Sequence, residues 1–173
     1  MADNKDRSVP PVLQPSHDGA QLATFGAGCL WGVQLVFQRR EGVLETQAGF
    51  TGGREGVIAR AEAVRVEYDP GVVTYSELLD TFWTAHDPTQ GNRQGIDIGE
   101  RYRSAIFYHD DEQKSLAEAS KTERQKRHDE PITTEIAPAG EFQPAIEFHQ
   151  RYLEKGGQSS AKGCTDTIAC YGI

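Results

Sequence analysis

The residue pattern predicts an α/β sandwich: two layers, with helices packed on one mixed, mainly antiparallel sheet, and a long coiled C-terminal tail. Three observations carry this. Short strand-like segments alternate with segments of helical period between Gln21 and Leu153, the signature of a layered α/β domain. Two strands, Val43 to Phe50 and Arg60 to Tyr68, follow one another with no helix between them. Thr74-Tyr75-Ser76-Glu77 matches a capping box and opens a helix whose apolar face carries Tyr75, Leu78, Leu79, Phe82 and Trp83.

In chain order, residues 1–18 read as a flexible leader rich in charge and proline. Residues 19–153 read as the catalytic α/β domain, and residues 154–173 as a mobile Gly/Ser/Lys tail that carries Cys164 and Cys170. The first strand, Gln21 to Phe25, runs through a glycine-spaced turn into a helix from about Cys29 to Arg40, which Gly42 ends. Thr51-Gly52-Gly53 turns the chain, and Arg54 to Arg60 reads as a short hairpin connection. Thr89 to Arg101 is a polar loop containing Gly91, Gly95 and Gly99, long enough to suggest a functional role. A short strand (Ser104 to Tyr108), a polar surface helix (Asp110 to His128), a strand (Ile132 to Ala137) and a short helical or mixed segment (Phe142 to Leu153) complete the domain.

With 173 residues, 37% apolar and 25% charged, the chain is expected to form one soluble domain. Its net charge of −8, without a basic stripe, argues against nucleic acid as a partner. No apolar run approaches membrane-spanning length, and the polar stretch Met1 to Arg7 lacks a secretory core, so a cytoplasmic location is expected. No large apolar face is evident, which predicts a monomer. Three cysteines are too few for a disulfide scaffold and suit redox or catalytic work in a reducing compartment. Cys164 and Cys170 have no histidine nearby, and the five histidines show no ligand spacing, so no metal is expected.

Phe25-Gly26-Ala27-Gly28-Cys29-Leu30-Trp31-Gly32 organises the chain chemically. A thiol at a helix N-terminus faces unpaired N–H groups and the positive end of the helix dipole, which predicts a lowered pKa and a nucleophile. A buried cysteine in a tight turn is the ordinary alternative. In the strand Arg60 to Tyr68, one face carries Glu62, Val64, Val66 and Tyr68. The other carries Ala61, Ala63, Arg65 and Glu67, and its charges mark it as solvent-facing. Glu62 therefore sits on an apolar face, where burial favours a neutral carboxyl able to donate a proton; a strand-end carboxylate paired with an arginine is the ordinary alternative. Asp97 and Tyr102 lie in the long loop and could simply cap it.

Gly28-Cys29-Leu30-Trp31-Gly32 resembles the Gly-Cys-Phe-Trp-Gly signature of the A-type peptide methionine sulfoxide reductases. The likeness extends through Gly49-Phe50-Thr51-Gly52-Gly53, Ala61-Glu62-Ala63-Val64-Arg65-Val66, His86-Asp87-Pro88-Thr89-Gln90-Gly91, Asp97 with Gly99, Tyr102-Arg103-Ser104-Ala105-Ile106 and Phe148-His149-Gln150. It runs in order from Phe25 to Cys164, which makes it more specific than any single motif. The resemblance implies a ferredoxin-like core, no cofactor, and a thiol-dependent reduction of methionine-S-sulfoxide. Cys29 would attack the sulfoxide sulfur, Glu62 would protonate the departing oxygen, and Tyr102 would share in binding that oxygen. Asp97 would hold the amino side of the substrate, with Leu30 and Trp31 at the methyl pocket. A sulfenic acid at Cys29 would be cleared by Cys164 as a disulfide, then passed to Cys170, and thioredoxin would reduce the tail pair.

Departures from the family pattern are Leu30 for phenylalanine, Gln34 for glutamate, Arg60 for histidine and Ile96 for asparagine. The segment between Gly53 and Arg60 is shorter by about a dozen residues and lacks a tyrosine that helps bind the sulfoxide oxygen. The altered pocket leaves two alternatives: the same chemistry on another small oxidised sulfur compound, such as an ergothioneine oxide, or a non-catalytic thiol redox sensor.

Overall fold

The computed structural model describes residues 5–52 and 60–170; the connection at 53–59, with its shortening, lies outside them. Six strands form one sheet in the order β7-β6-β1-β3-β2-β8. They are β1 (Gln21–Ala27), β2 (Val43–Thr51), β3 (Ala61–Tyr68), β6 (Ser104–Tyr108), β7 (Glu135–Pro138) and β8 (Gln143–Pro144). Every neighbouring pair is antiparallel except β6 with β7. The helices are α1 (Leu30–Gln38), α2 (Tyr75–Thr84), α3 (Asp111–Gln125) and the short α4 (Tyr152–Lys155). The succession β1-α1-β2-β3-α2-β6 builds the four central strands, so the sheet is mixed, mainly antiparallel and ferredoxin-like at its centre.

The main core lies between the sheet and the helices. Phe25 of β1 stacks on Phe37 of α1 at 5.0 Å and on Phe82 of α2 at 5.3 Å. Val64, Val66 and Tyr68 of β3 join the same cluster. The capping box is present: the Thr74 hydroxyl accepts from Glu77 N–H, and the Glu77 side chain accepts from Thr74 N–H. All five apolar residues assigned to the α2 face are buried.

The second face of β3, read as solvent-facing, is instead covered, and Glu67 is 0% exposed. Ala61 and Ala63 pack with Phe107 and Phe142, while Arg65 lies 5.7 Å from the Phe142 ring. The leader supplies the rest of the cover. Leu13 N–H donates to Gln47 Oε1, and Ser16 donates to the Glu67 carboxylate through its N–H at 2.9 Å and its hydroxyl. Residues 5–15 contain no helix or strand, yet these bonds tie the leader to the sheet. Charges on a strand signal exposure only when no other segment supplies donors for them.

The long loop contains a two-stranded hairpin, β4 (Arg93–Gln94) with β5 (Asp97–Ile98), and one 3-10 turn at Glu100–Tyr102. His86, at the end of α2, donates from Nδ1 to the Phe82 carbonyl, which leaves Nε2 to accept from the Ser104 hydroxyl at 2.7 Å. Burial holds His86, and likewise His109, down at about 4. The unfolded chain binds protons at these imidazoles from about pH 6.5 downward, whereas the folded one does not until about pH 4. Stability should therefore be lost as the pH falls through that window. Thermal melts at pH 7, 5.5 and 4.5 check this: the melting temperature should drop, and replacing His86 by Gln should flatten the drop.

Candidate active site

Gly28 precedes Cys29 with φ +95, a backbone region that other L-residues rarely adopt, and a Cβ there would meet the Gln94 side chain at 2.9 Å. Cys29 is the N-cap residue of α1. The first helical N–H groups have no partner inside the helix, and that of Leu30 finds one in Glu62: it donates to Oε1 at 3.1 Å. Glu62 stands on β3 opposite Phe50 of β2, is 4% exposed, and also accepts from Arg101 Nε at 2.8 Å on Oε2. The two alternatives for Glu62 are thus realised together. The carboxyl is buried beside Cys29, and it is paired with an arginine. Both its oxygens accept from N–H donors, the arrangement of a carboxylate and not of the neutral acid that its apolar face suggests.

Cys170 Sγ lies against α1, 2.8 Å from where a Cβ on Gly32 would stand. Only glycine at that point lets the tail come so close. The Cys29 and Cys170 thiols share a hydrogen bond, with Cys29 as donor. That bond pushes Cys170 down to about 7. It holds Cys29 above the usual thiol range, as do burial and the negative charge of Glu62, while the Trp31 N–H works the other way. The lowering expected for Cys29 from its helix position is therefore outweighed, because its neighbours are an acidic thiol and a carboxylate. A cavity of about 320 Å3 opens beside the pair, lined by Cys29, Val33, Asp97, Ile168 and Cys170 among others.

Trp31 is half-buried, stacks on Tyr152 at 4.0 Å and donates from Nε1 to His149 Nδ1 at 3.1 Å. Leu30 packs its side chain into a cluster with Ala48 and Ala145, and Trp31 and Phe50 border that cluster. Its contribution to Glu62 is its backbone N–H. Tyr102 lies next to the guanidinium of Arg101, 5.0 Å from its ring; burial and the Glu62 charge raise its pKa. Asp97 reaches the cavity from β5. Cys29, Glu62, Asp97, Tyr102 and Cys170 are thus brought into one neighbourhood. Cys164 is not among the residues lining the cavity; its N–H donates to Ala161 O at 3.0 Å, in a turn of the tail.

Arg101 and Arg39 carry no signal in the sequence, and His149 enters there only within Phe148-His149-Gln150. A lone arginine in a loop carries no periodic signal, and His149 acts on a residue 118 positions away. Arg39, near the C-terminal end of α1, donates to the Ser159 and Asp166 carbonyls at 2.8 and 2.7 Å. Lys162 adds bonds to Gln38 O and Val43 O. These contacts tie the tail across α1 so that its end reaches Cys29. Replacing Arg39 by Ala should slow disulfide formation at Cys29 roughly tenfold, from the loss of two charge-assisted hydrogen bonds, and leave the first oxygen transfer unchanged. Quenched-flow mass analysis separates the two steps.

Among the described residues, no cluster of three or more His, Cys, Asp or Glu is placed to hold a metal ion, and no helix is long and apolar enough to cross a membrane.

Two thiols and a buried carboxyl in one site are the groups that a thiol-dependent oxidoreductase uses. Residues 21–168 match the family model described as peptide methionine sulfoxide reductase. A peptide methionine sulfoxide reductase A2-1 of Oryza sativa subsp. japonica is 47% identical over 99% of this chain and 100% of its own length. The reduced form of Mxr1 from Saccharomyces cerevisiae has the same fold, with a TM-score of 0.77 at 29% identity over 93% of this chain and 94% of that one. Mxr1 in complex with Trx2 gives a TM-score of 0.63 at 26% identity, over 82% of this chain and 90% of that one. The chain belongs to the peptide methionine sulfoxide reductase family, whose members act on sulfur as oxidoreductases.

Proposed function

We propose that this protein reduces methionine-S-sulfoxide, free or within peptides, and is recycled by a thioredoxin-like dithiol. The observation that carries the reading is the contact between Glu62 and the amide that follows Cys29, which puts carboxylate and sulfur side by side at one helix end. Cys29 attacks the sulfoxide, and its thiol proton passes to Glu62. Attack forms a bond between Cys29 Sγ and the substrate sulfur; the Glu62 carboxyl delivers the proton to the oxygen, the S–O bond breaks, and the hydroxide released attacks Cys29 Sγ, which breaks the S–S bond and expels the thioether. The products are the methyl thioether and Cys29 sulfenic acid, so Cys29 has been oxidised by two electrons and the substrate sulfur reduced by two. Tyr102 donates to the oxygen, and Trp31 walls the methyl group.

Cys170, already hydrogen-bonded to Cys29 and easily ionised, condenses with the sulfenic acid and releases water. Cys164 then attacks Cys170, which leaves a Cys164–Cys170 disulfide for the reductant and frees Cys29. This order exchanges the two tail thiols relative to the family-based expectation. It rests on which sulfur the tail presents to Cys29. Such chemistry suits a reducing compartment such as the cytoplasm and a role in repairing oxidised methionine.

Thioredoxin-coupled rates on the S and R epimers of methionine sulfoxide and on other small sulfur oxides test the reading. The S epimer should be turned over at least about a hundredfold faster than the R epimer, a difference of roughly 2.7 kcal/mol in transition-state binding. Preference for a different sulfur oxide would move the substrate class. Oxidation of Cys29 by peroxide, with no turnover of any sulfoxide, would make the protein a thiol sensor.

A further inference from the structure

Arg101 stands where the proton of the reaction must be managed. Its Nε donates to Glu62 Oε2 at 2.8 Å, while its side chain is 55% exposed and its guanidinium carbon lies 5.0 Å from the Tyr102 ring. A buried carboxylate without a cation is costly, and the Leu30 N–H supplies only a dipole. The other ionisable groups around the Cys29–Glu62 pair do not replace the arginine. Cys170 and Asp97 bring negative charge or a thiol, Tyr102 is neutral near pH 7, and His149 Nδ1 accepts from Trp31, which leaves that ring uncharged.

We infer that Arg101 is a positioning residue for the reduction, one that holds Glu62 as the carboxylate in the resting enzyme so that the transferred proton starts on the Cys29 sulfur. The inference rests on the sulfoxide-reductase reading for its meaning, but its test does not. With the proton on sulfur, the step is complete within the pair: it leaves Cys29 for Glu62 as sulfur attacks, then leaves Glu62 for oxygen as the S–O bond breaks. Were Glu62 already protonated and Cys29 a thiol, the site would hold one proton too many for that relay.

The test uses the full chain with Cys164 and Cys170 replaced by Ser, so that Cys29 is the single thiol, and follows its alkylation by iodoacetamide against pH by intact mass. Arg101→Gln should lower the midpoint by about half a pH unit or more, because Glu62, no longer held ionised, takes up a proton and its negative charge no longer opposes ionisation of Cys29. Arg101→Lys should restore most of that shift. In a Glu62→Gln background, Arg101 loses its tether and turns into solvent, so Arg101→Gln should then shift the midpoint little. An unchanged or raised midpoint in the Glu62 protein, or an equal shift in both backgrounds, overturns the inference. On N-acetylmethionine sulfoxide methylamide, which has no carboxylate, the pH profile of kcat/KM should move to higher pH in Arg101→Gln. A loss confined to carboxylate-bearing substrates, with the profile unmoved, would make Arg101 a substrate anchor and overturn it also. Absence of all turnover in the wild-type protein would count against the reductase reading, while the alkylation midpoints still decide the role of Arg101.

Discussion

Glu62→Gln is expected to slow the first oxygen transfer to Cys29 by roughly 100- to 10,000-fold, the range set by removing a positioned proton-transfer group. The amide keeps the volume of the carboxyl and can still accept from the Leu30 N–H, so the fold and the helix end should persist. It cannot take a proton from the Cys29 sulfur or deliver one to an oxygen. The thiol itself should survive and ionise more readily, because the Glu62 charge is one of the causes that hold Cys29 up. Rapid alkylation together with lost sulfoxide turnover is the diagnostic combination. Single-turnover kinetics with intact-mass detection measures one half and iodoacetamide labelling the other. Undiminished oxygen transfer in this variant would take Glu62 out of the chemistry and leave it as a helix-end ligand.

Cys170→Ser is expected to have the second large effect. The tail presents this thiol to Cys29 through the gap left at Gly32, so its loss should strand Cys29 as the sulfenic acid after one turnover. Thioredoxin-coupled turnover should fall roughly 100-fold or more, since an uncatalysed encounter replaces a pre-positioned one. Cys164→Ser should instead allow one Cys29–Cys170 disulfide to form at the normal rate and stop the cycle there. Peptide mapping of quenched samples distinguishes the two. A Cys29–Cys164 disulfide forming at wild-type speed in Cys170→Ser would restore the order inferred from the family.

Most of the architecture was legible because it is written in local periodicity. The β3 alternation placed Glu62 on the apolar face, and the Thr74–Glu77 box fixed the start of α2. The strand–glycine–cysteine–helix order placed Cys29 at the N-cap of α1. What the sequence could not display were relations between distant segments. The cover over Glu67 comes from Ser16, 51 residues away, and the partner of Glu62 comes from Arg101, 39 residues away. For the same reason, the helix dipole alone points the wrong way for the Cys29 thiol. A local rule was overruled by two groups, Glu62 and Cys170, that only the fold brings together. The placing of the two tail thiols was hidden likewise, because it depends on how Arg39 and Lys162 tie the tail across α1.

One stoichiometric experiment probes the whole scheme. The full chain lacking both tail thiols is mixed with an equal amount of methionine-S-sulfoxide, and methionine released is counted against oxygen gained at Cys29 by mass mapping. The mechanism demands one methionine for each oxygen retained on that sulfur. Methionine appearing without oxygen on Cys29, or no methionine at all from a protein whose Cys29 alkylates normally, contradicts it.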